Sequence, residues 1–236
     1  IKYSNNALLA LLISMANEIS NLTRQIGGIK FSDVREGVMY DRRWNTKDEV
    51  LLFPDVLKYF KPGPGFGGSC FPKDVKALLS FGKEFGADMD ICESIISVNQ
   101  KQHLEVIKIL EHTSLLSKNS RIMILGLSFK ENTDDIRNSK SLDLLKELYG
   151  KVDLYVHDPM AMEHTKLELK DMTKINYLHD WKSNFSKMNC IILMTNWAEY
   201  KEIDPKNLNT VSLFIDSRDF LSSSDFSELN NFVSLG

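Results

Sequence analysis

Disulfide scaffolds, metal clusters, nucleic-acid clamps and membrane spans all leave compositional marks that this chain lacks. Three cysteines occur in 236 residues, Cys70, Cys92 and Cys190. Their odd number and wide spacing exclude a disulfide framework and a zinc site, and favour a reducing compartment, with the cytoplasm as the expectation. The five histidines show no metal-ligand spacing, so no metal is expected. Lys and Arg number 29 against 32 Asp and Glu, a net charge of -3, and no basic stripe is present to draw nucleic acid. No apolar run approaches the length that crosses a bilayer, and no signal peptide is visible. What remains is the composition of a soluble globular protein, 43% hydrophobic and 10% aromatic, long enough for one large or two ordinary domains.

Glycine and proline are sparse, yet four of the 12 glycines and two of the six prolines fall in the eight residues Lys61 to Gly68. Glycines let backbone approach a ligand closely and adopt positive φ. Cys70 follows at the start of a helix, with Pro72 suited to its first turn and Val75, Leu78 and Leu79 giving it an apolar face. A free cysteine is ordinarily a small buried hydrophobe. Here the helix dipole and Lys73, one turn on, both favour thiolate, which is the environment of a nucleophile. Gly63-x-Gly65-x-x-Gly68 also satisfies a dinucleotide fingerprint in its letters, but Lys61-Pro62 is a poor strand end and the match is rejected.

In chain order, Leu8, Leu9, Leu11, Leu12, Met15, Ile19 and Leu22 form a broad apolar stripe on a helix from about Lys2 to Ile26, which Gly27-Gly28 stops. Such a helix wants burial between partners. Residues 31–38 read as a short helix capped by Ser32 or Asp33. Residues 40–57 carry no firm assignment. A long helix is expected from about Ile91 to His112. The pattern changes near Ser117: short apolar strands at Arg121–Gly126, Val152–Val156, Ile175–Tyr177, Cys190–Met194, Val211–Asp216 and Phe232–Ser234 alternate with helical segments around Leu142–Leu148 and Trp181–Met188. The reading is α/β, a helical domain over 1–115 followed by a Rossmann-like, doubly wound parallel sheet over 116–236. Ligands of such sheets sit at the carboxyl ends of strands. That directs attention to residues 126–137, to Asp216-Ser217-Arg218 and to Tyr155–Pro159. Trp197 reads as packing.

Three stretches, taken together, carry a resemblance. Phe66-Gly67-Gly68-Ser69-Cys70-Phe71-Pro72-Lys73-Asp74, Lys2-Tyr3-Ser4-Asn5-Asn6-Ala7 and Gly126–Arg137 resemble, in the right order, the UDP-glucose/GDP-mannose dehydrogenase family. The resemblance implies oxidation of a nucleotide sugar's primary alcohol to a carboxylate in two hydride transfers to NAD. An aldehyde has no carbinol hydride to lose until a nucleophile adds, and a thiolate adds to give a thiohemiacetal, then a thioester that water cleaves. By resemblance Cys70 is that nucleophile, and Lys2 and Asn6 stabilise the oxyanion and touch the substrate. Asp74 orients the water. Tyr59, Lys61, Gly63, Gly65, Phe66 and Gly67 wrap the sugar nucleotide, closed over by Phe129, Lys130 and Arg218. Lys73 and Arg137 face NAD. The helix Lys2 to Ile26 is similar to the family's dimer core, so a homodimer is expected.

Two departures stand out. Asp216-Ser217-Arg218-Asp219 replaces the family's usual Asp-Gly-Arg-Asn, and the arginine donated to a neighbouring subunit has only Arg42 or Arg43 as a loose counterpart. The family's NAD-binding sheet, with its glycine fingerprint and acidic catalytic segment, has no match in these residues. The expectation is therefore the central and UDP-binding portion of a UDP-glucose 6-dehydrogenase, binding NAD poorly and turning nothing over alone. GDP-mannose or a UDP-N-acetylhexosamine as substrate, and a non-catalytic nucleotide-sugar-binding or dimerisation module, are the alternatives.

Overall fold

The structure is a computed structural model that describes residues 1–41, 43, 54–221, 226 and 229–235. Arg42 and most of the unassigned stretch, 44–53, lie outside the described residues.

The helical part opens with α1 (Lys2–Ile26), followed by α2 (Phe31–Met39), a 3₁₀ turn (Asp55–Tyr59), α3 (Phe71–Glu84), α4 (Asp90–Lys101) and α5 (Leu104–His112). Two expectations need correction. Lys30, not Ser32 or Asp33, is the N-cap of α2, because the buried Phe31 ring already belongs to the helix and packs against Phe60. The long helix after Ile91 is two, broken at Gln102 and His103. Both of those side chains are buried, and Gln102 turns inward to donate to the Gly63 carbonyl.

α1 packs against α3 and α4, with the 3₁₀ turn alongside. The side it buries is small or polar, Ala7, Ala10, Ser14, Ala16, Asn17 and Ser20. Leu8, Met15 and Leu22, at heptad spacing, are exposed.

The sheet part is β1 (Arg121–Leu125), α6 (Lys140–Leu148), β2 (Asp153–His157), α7 (Met162–Glu168), β3 (Ile175–Tyr177), β4 (Cys190–Leu193), β5 (Leu213–Asp216) and β6 (Phe232–Ser234), with 3₁₀ segments elsewhere, including Lys182–Lys187 where a helix is expected. The six strands run parallel in the order β3-β2-β1-β4-β5-β6. Sequence order therefore reverses between β1 and β4, the switch point of a doubly wound sheet. Ile122, Met123, Ile124 and Leu125 are fully buried, as are all four residues of β4. Strands covered on both faces read as continuous apolar runs for that reason. Each such burial contributes about 2 kcal/mol gross. One face is covered by α5, α6 and α7 residues, among them Leu110, Leu145 and Leu148. The other is covered by an aromatic layer of Trp181, Phe185, Trp197 and Tyr200, with Phe185 stacked on Phe214 of β5. Among the described residues, no helix is long and apolar enough to cross a membrane.

Candidate active site

The loop from Phe60 to Gly68 leaves the helical part and lies against the carboxyl edge of the sheet. Gly68 N–H donates to the Arg137 carbonyl at 2.8 Å, and Asn138 Nδ2 donates to the Gly68 carbonyl at 3.1 Å. Gly68 has φ +78°, and a Cβ there would stand 2.7 Å from the Phe129 ring. The absence of a side chain is what lets the loop meet the segment after β1.

Between loop and sheet is a cavity of about 300 Å³. All nine residues expected to wrap a nucleotide from the loop and the sheet edge line it: Tyr59, Lys61, Gly63, Gly65, Phe66, Gly67, Phe129, Lys130 and Arg218. Aromatic rings supply one wall, with Phe66 and Tyr59 each edge-on to Phe71 at 5.9 and 6.0 Å. Cations supply another. Lys130 Nζ lies 5.6 Å over the Phe129 ring, and Arg218 is held by donating to the Met194 carbonyl at 2.8 Å and the Phe129 carbonyl at 3.3 Å. Desolvation pulls Arg218 down to about 10, with Glu131 and Asp216 opposing, so it stays a cation at neutral pH. Fixed cations beside aromatic faces suit an anion joined to a planar ring.

Pro62, inside the loop expected to wrap the nucleotide, lines the cavity too; Asn196, Ile13, Lys58 and Phe71 also line it, and sequence reasoning missed them. Asn196 follows β4, the strand next to β1 across the switch point, and its Oδ1 is buried without a hydrogen-bond partner. The rule that ligands gather at strand ends could have found it; the sequence reading applied that rule to β1, β2 and β5.

Lys2 and Asn6, expected to touch substrate as well as to catalyse, do not line this cavity. They converge instead on Asp74. Asn6 Nδ2 donates to Asp74 Oδ2 at 2.7 Å, Lys2 Nζ is 3.8 Å from the same oxygen, and Lys73 Nζ is 2.5 Å from Oδ1. The Asp74 side chain is fully buried. Its hydrogen bond from Lys73 holds the carboxyl below the usual range, burial opposes, and the bond from Asn6 assists. A carboxylate offers about four lone-pair directions, so one acceptor direction remains beyond these three donors.

Cys70 is exposed, is the N-cap of α3 and stands one turn before Asp74, whose N–H donates to the Cys70 carbonyl at 2.8 Å. Lys73 is raised chiefly by its bond to Asp74, and Arg137 chiefly by its two-pronged bond to Asp135. Cys70 makes a smaller electrostatic contribution to both, so these two expected cofactor-facing cations lie within electrostatic reach of it.

After β2, Asp158 and His157 are engaged in internal contacts. Asp158 is fully buried and accepts from the N–H groups of Leu127, Ser128, Met160 and Ala161 and from Trp197 Nε1, which accounts for Trp197 as packing. His157 is buried, with Nδ1 2.9 Å from the Tyr200 hydroxyl. Among the described residues no group of His, Cys, Asp and Glu could hold a metal.

A parallel sheet whose switch-point crevice is covered by a glycine loop leading to an exposed cysteine has the layout of a two-part nucleotide-binding enzyme. Comparison with known proteins is specific. A family model described as the central domain of the UDP-glucose/GDP-mannose dehydrogenase family matches residues 1–101, and one described as that family's UDP binding domain matches residues 123–223. The chain belongs to the UDP-glucose/GDP-mannose dehydrogenase family. It is 33% identical to the UDP-glucose 6-dehydrogenase TuaD of Bacillus subtilis over 94% of this chain and 46% of that protein. It is 32% identical to the UDP-glucose 6-dehydrogenase of Rickettsia conorii over 94% of this chain and 50% of that one. The solved UDP-glucose dehydrogenase of Pyrobaculum islandicum superposes with TM-score 0.83 at 31% identity, over 99% of this chain and 50% of that one. The chain thus spans about half the length of the relatives it matches.

Proposed function

We propose that the chain is the central (1–115) and UDP-binding (116–236) portion of a UDP-glucose 6-dehydrogenase that oxidises UDP-glucose to UDP-glucuronate. The observation that carries this reading is the convergence of nine expected sugar-nucleotide residues on one cavity beside an exposed cysteine. Arg218, Lys61 and Lys130 meet the diphosphate, and the rings of Tyr59, Phe66 and Phe71 flank the base or sugar. Cys70 adds to the aldehyde carbon, takes it through thiohemiacetal to thioester, and is freed when water cleaves the acyl–sulfur bond. Asn6 donates to the developing oxyanion, and the exposed Lys2 ammonium neutralises it. Asp74, held ionised by its neighbours, orients the cleaving water.

NAD, when bound, supplies the hydride acceptor. The two cations within electrostatic reach of Cys70 fit an anionic dinucleotide at that edge, and we assign Lys73 and Arg137 to it. These 236 residues offer no glycine fingerprint for the rest of the cofactor, so the main cofactor contacts are assigned outside them. The free thiols agree with a cytoplasmic setting. The exposed Leu8, Met15 and Leu22 stripe on α1 fits self-association as a homodimer.

Calorimetric titration with UDP, UDP-glucose, GDP-mannose and UDP-N-acetylglucosamine, combined with iodoacetamide labelling, tests the reading. UDP and UDP-glucose bind, Cys70 alkylates first, and UDP-glucose slows that alkylation. Binding of GDP-mannose without any uridine nucleotide would refute the assignment.

A further inference from the structure

A loop rich in glycine and proline cannot hold itself. Pro62 and Pro64 donate no hydrogen bond, and Gly65 takes φ +108°. Yet three carboxamides grip its backbone, one from α1, one from α4 and one from the break that follows α4. Asn99 of α4 pairs with both polar groups of Phe66: the Phe66 N–H donates to Oδ1 at 2.7 Å, and Nδ2 donates to the Phe66 carbonyl at 3.0 Å. Gln102, three residues on and on the same face, donates from Nε2 to the Gly63 carbonyl at 3.0 Å. The Gly63 N–H donates to Asn17 Oδ1 on α1 at 2.8 Å. Gln102 is oriented in turn by Asn21, whose Nδ2 donates to its Oε1 at 3.0 Å. All three gripping residues are at least nine-tenths buried. The contact is also why Gly65 lacks a side chain: a Cβ there would stand 2.7 Å from Asn99 Oδ1.

We infer that Asn99 and Gln102, with Asn17, are positioning residues that fix the ligand-facing loop from behind, so that the cavity is formed before the nucleotide arrives. Gly63 and Phe66 line the cavity and the carboxamides hold those same two residues. A ligand therefore meets backbone whose ordering cost has already been met by the fold. The inference deepens the proposed UDP-sugar site and rests on that reading.

Calorimetric titration of the purified chain and its variants with UDP tests it. Asn99→Leu and the near-isosteric, uncharged Gln102→Met lose about tenfold or more in affinity, since each leaves a buried backbone group unpaired. Asn99→Asp carries the specific signature. Its carboxylate accepts from Phe66 N–H but cannot donate to the Phe66 carbonyl, whereas the neutral acid does both. Burial at this position raises the carboxyl above its ordinary value of about 3.9, so affinity is weak near pH ~8 and recovers as the pH falls toward ~5. Lys76 of α3, and Lys140 and Asp143 of α6, line the cavity that Asn99 also borders; titration of the unaltered chain across the same range removes their contribution.

Folded Asn99→Leu and Gln102→Met that bind UDP within about twofold of the parent overturn the inference. Should these variants not fold, hydrogen exchange in the unaltered chain decides it. The Gly63 and Phe66 amides are protected without nucleotide, and exchange at open-chain rates overturns the clamp. A parent that does not bind UDP refutes the site reading instead, and the exchange measurement still decides whether the clamp exists.

Discussion

Adding one methyl group at three different glycines separates backbone strain from the docking of the loop on the sheet. Gly28 follows α1 at φ +73° with nothing within 4 Å of an added Cβ. Gly28→Ala therefore costs only the left-handed conformation, about 1–2 kcal/mol. Gly68 has a similar φ of +78°, but its Cβ would stand 2.7 Å from Cε2 and 2.9 Å from Cζ of Phe129. To the same ~1–2 kcal/mol is added the cost of forcing a packed ring aside, about 1–3 kcal/mol. Gly67 has ordinary φ, and its Cβ would stand 2.5 Å from the Asn138 carbonyl oxygen. That is a pure overpacking cost, about 1–3 kcal/mol, and a rotamer change does not relieve it because the obstacle is backbone. Urea unfolding gives the three stability changes, and UDP titration gives the three affinities. Gly28→Ala should leave affinity unchanged, whereas Gly67→Ala and Gly68→Ala should weaken it, because Phe129 lines the cavity. If Gly68→Ala proved no more costly than Gly28→Ala and bound UDP normally, the close approach of loop and sheet would be wrong.

Burial lowers His157 to about 4 from its ordinary 6.5, with Asp158 opposing. The unfolded chain then takes up a proton that the folded one refuses, so this stabilisation is complete above pH ~6.5 and drains away as the pH falls toward ~4, a total of about 3 kcal/mol. Stability measured against pH should lose that limb in His157→Gln, and an unchanged profile would count against the buried, neutral imidazole. For self-association, Leu8→Asp together with Met15→Asp should reduce the mass seen by light scattering from two chains to one, with the helical signal retained. A parent that already scatters as one chain defeats the α1 dimer.

What the sequence made legible follows from how locally each feature is encoded. The cysteine loop is legible because close backbone approach and a thiol at a helix start need consecutive residues. The strands are legible because burial on both faces makes them continuous apolar runs. Asp158 misled because an aspartate after a strand has the same letters whether it meets a ligand or, as here, the backbone N–H groups of Leu127 and Ser128. Asn196 was hidden because its unpaired Oδ1 matters only once β4 is placed beside β1. Asn17, Asn99 and Gln102 were hidden for a related reason: amides on helices pass for solvated surface until a loop without its own partners is laid against them. α1 shows the limit most sharply. Its periodicity points to burial of the stripe Leu8 to Leu22, whereas the residues buried within these 236 are Ala7, Ala10, Ser14, Ala16, Asn17, Ser20 and Thr23. The fold takes the alanines, serines and Asn17 inward, because a glycine loop and two helices need close approach and hydrogen bonds there. Leu8, Met15 and Leu22 are left facing outward. Turning the helix to hide Leu8, Met15 and Leu22 would break the Asn17–Gly63 bond, so the polar requirement of the loop decides which face of α1 is left exposed.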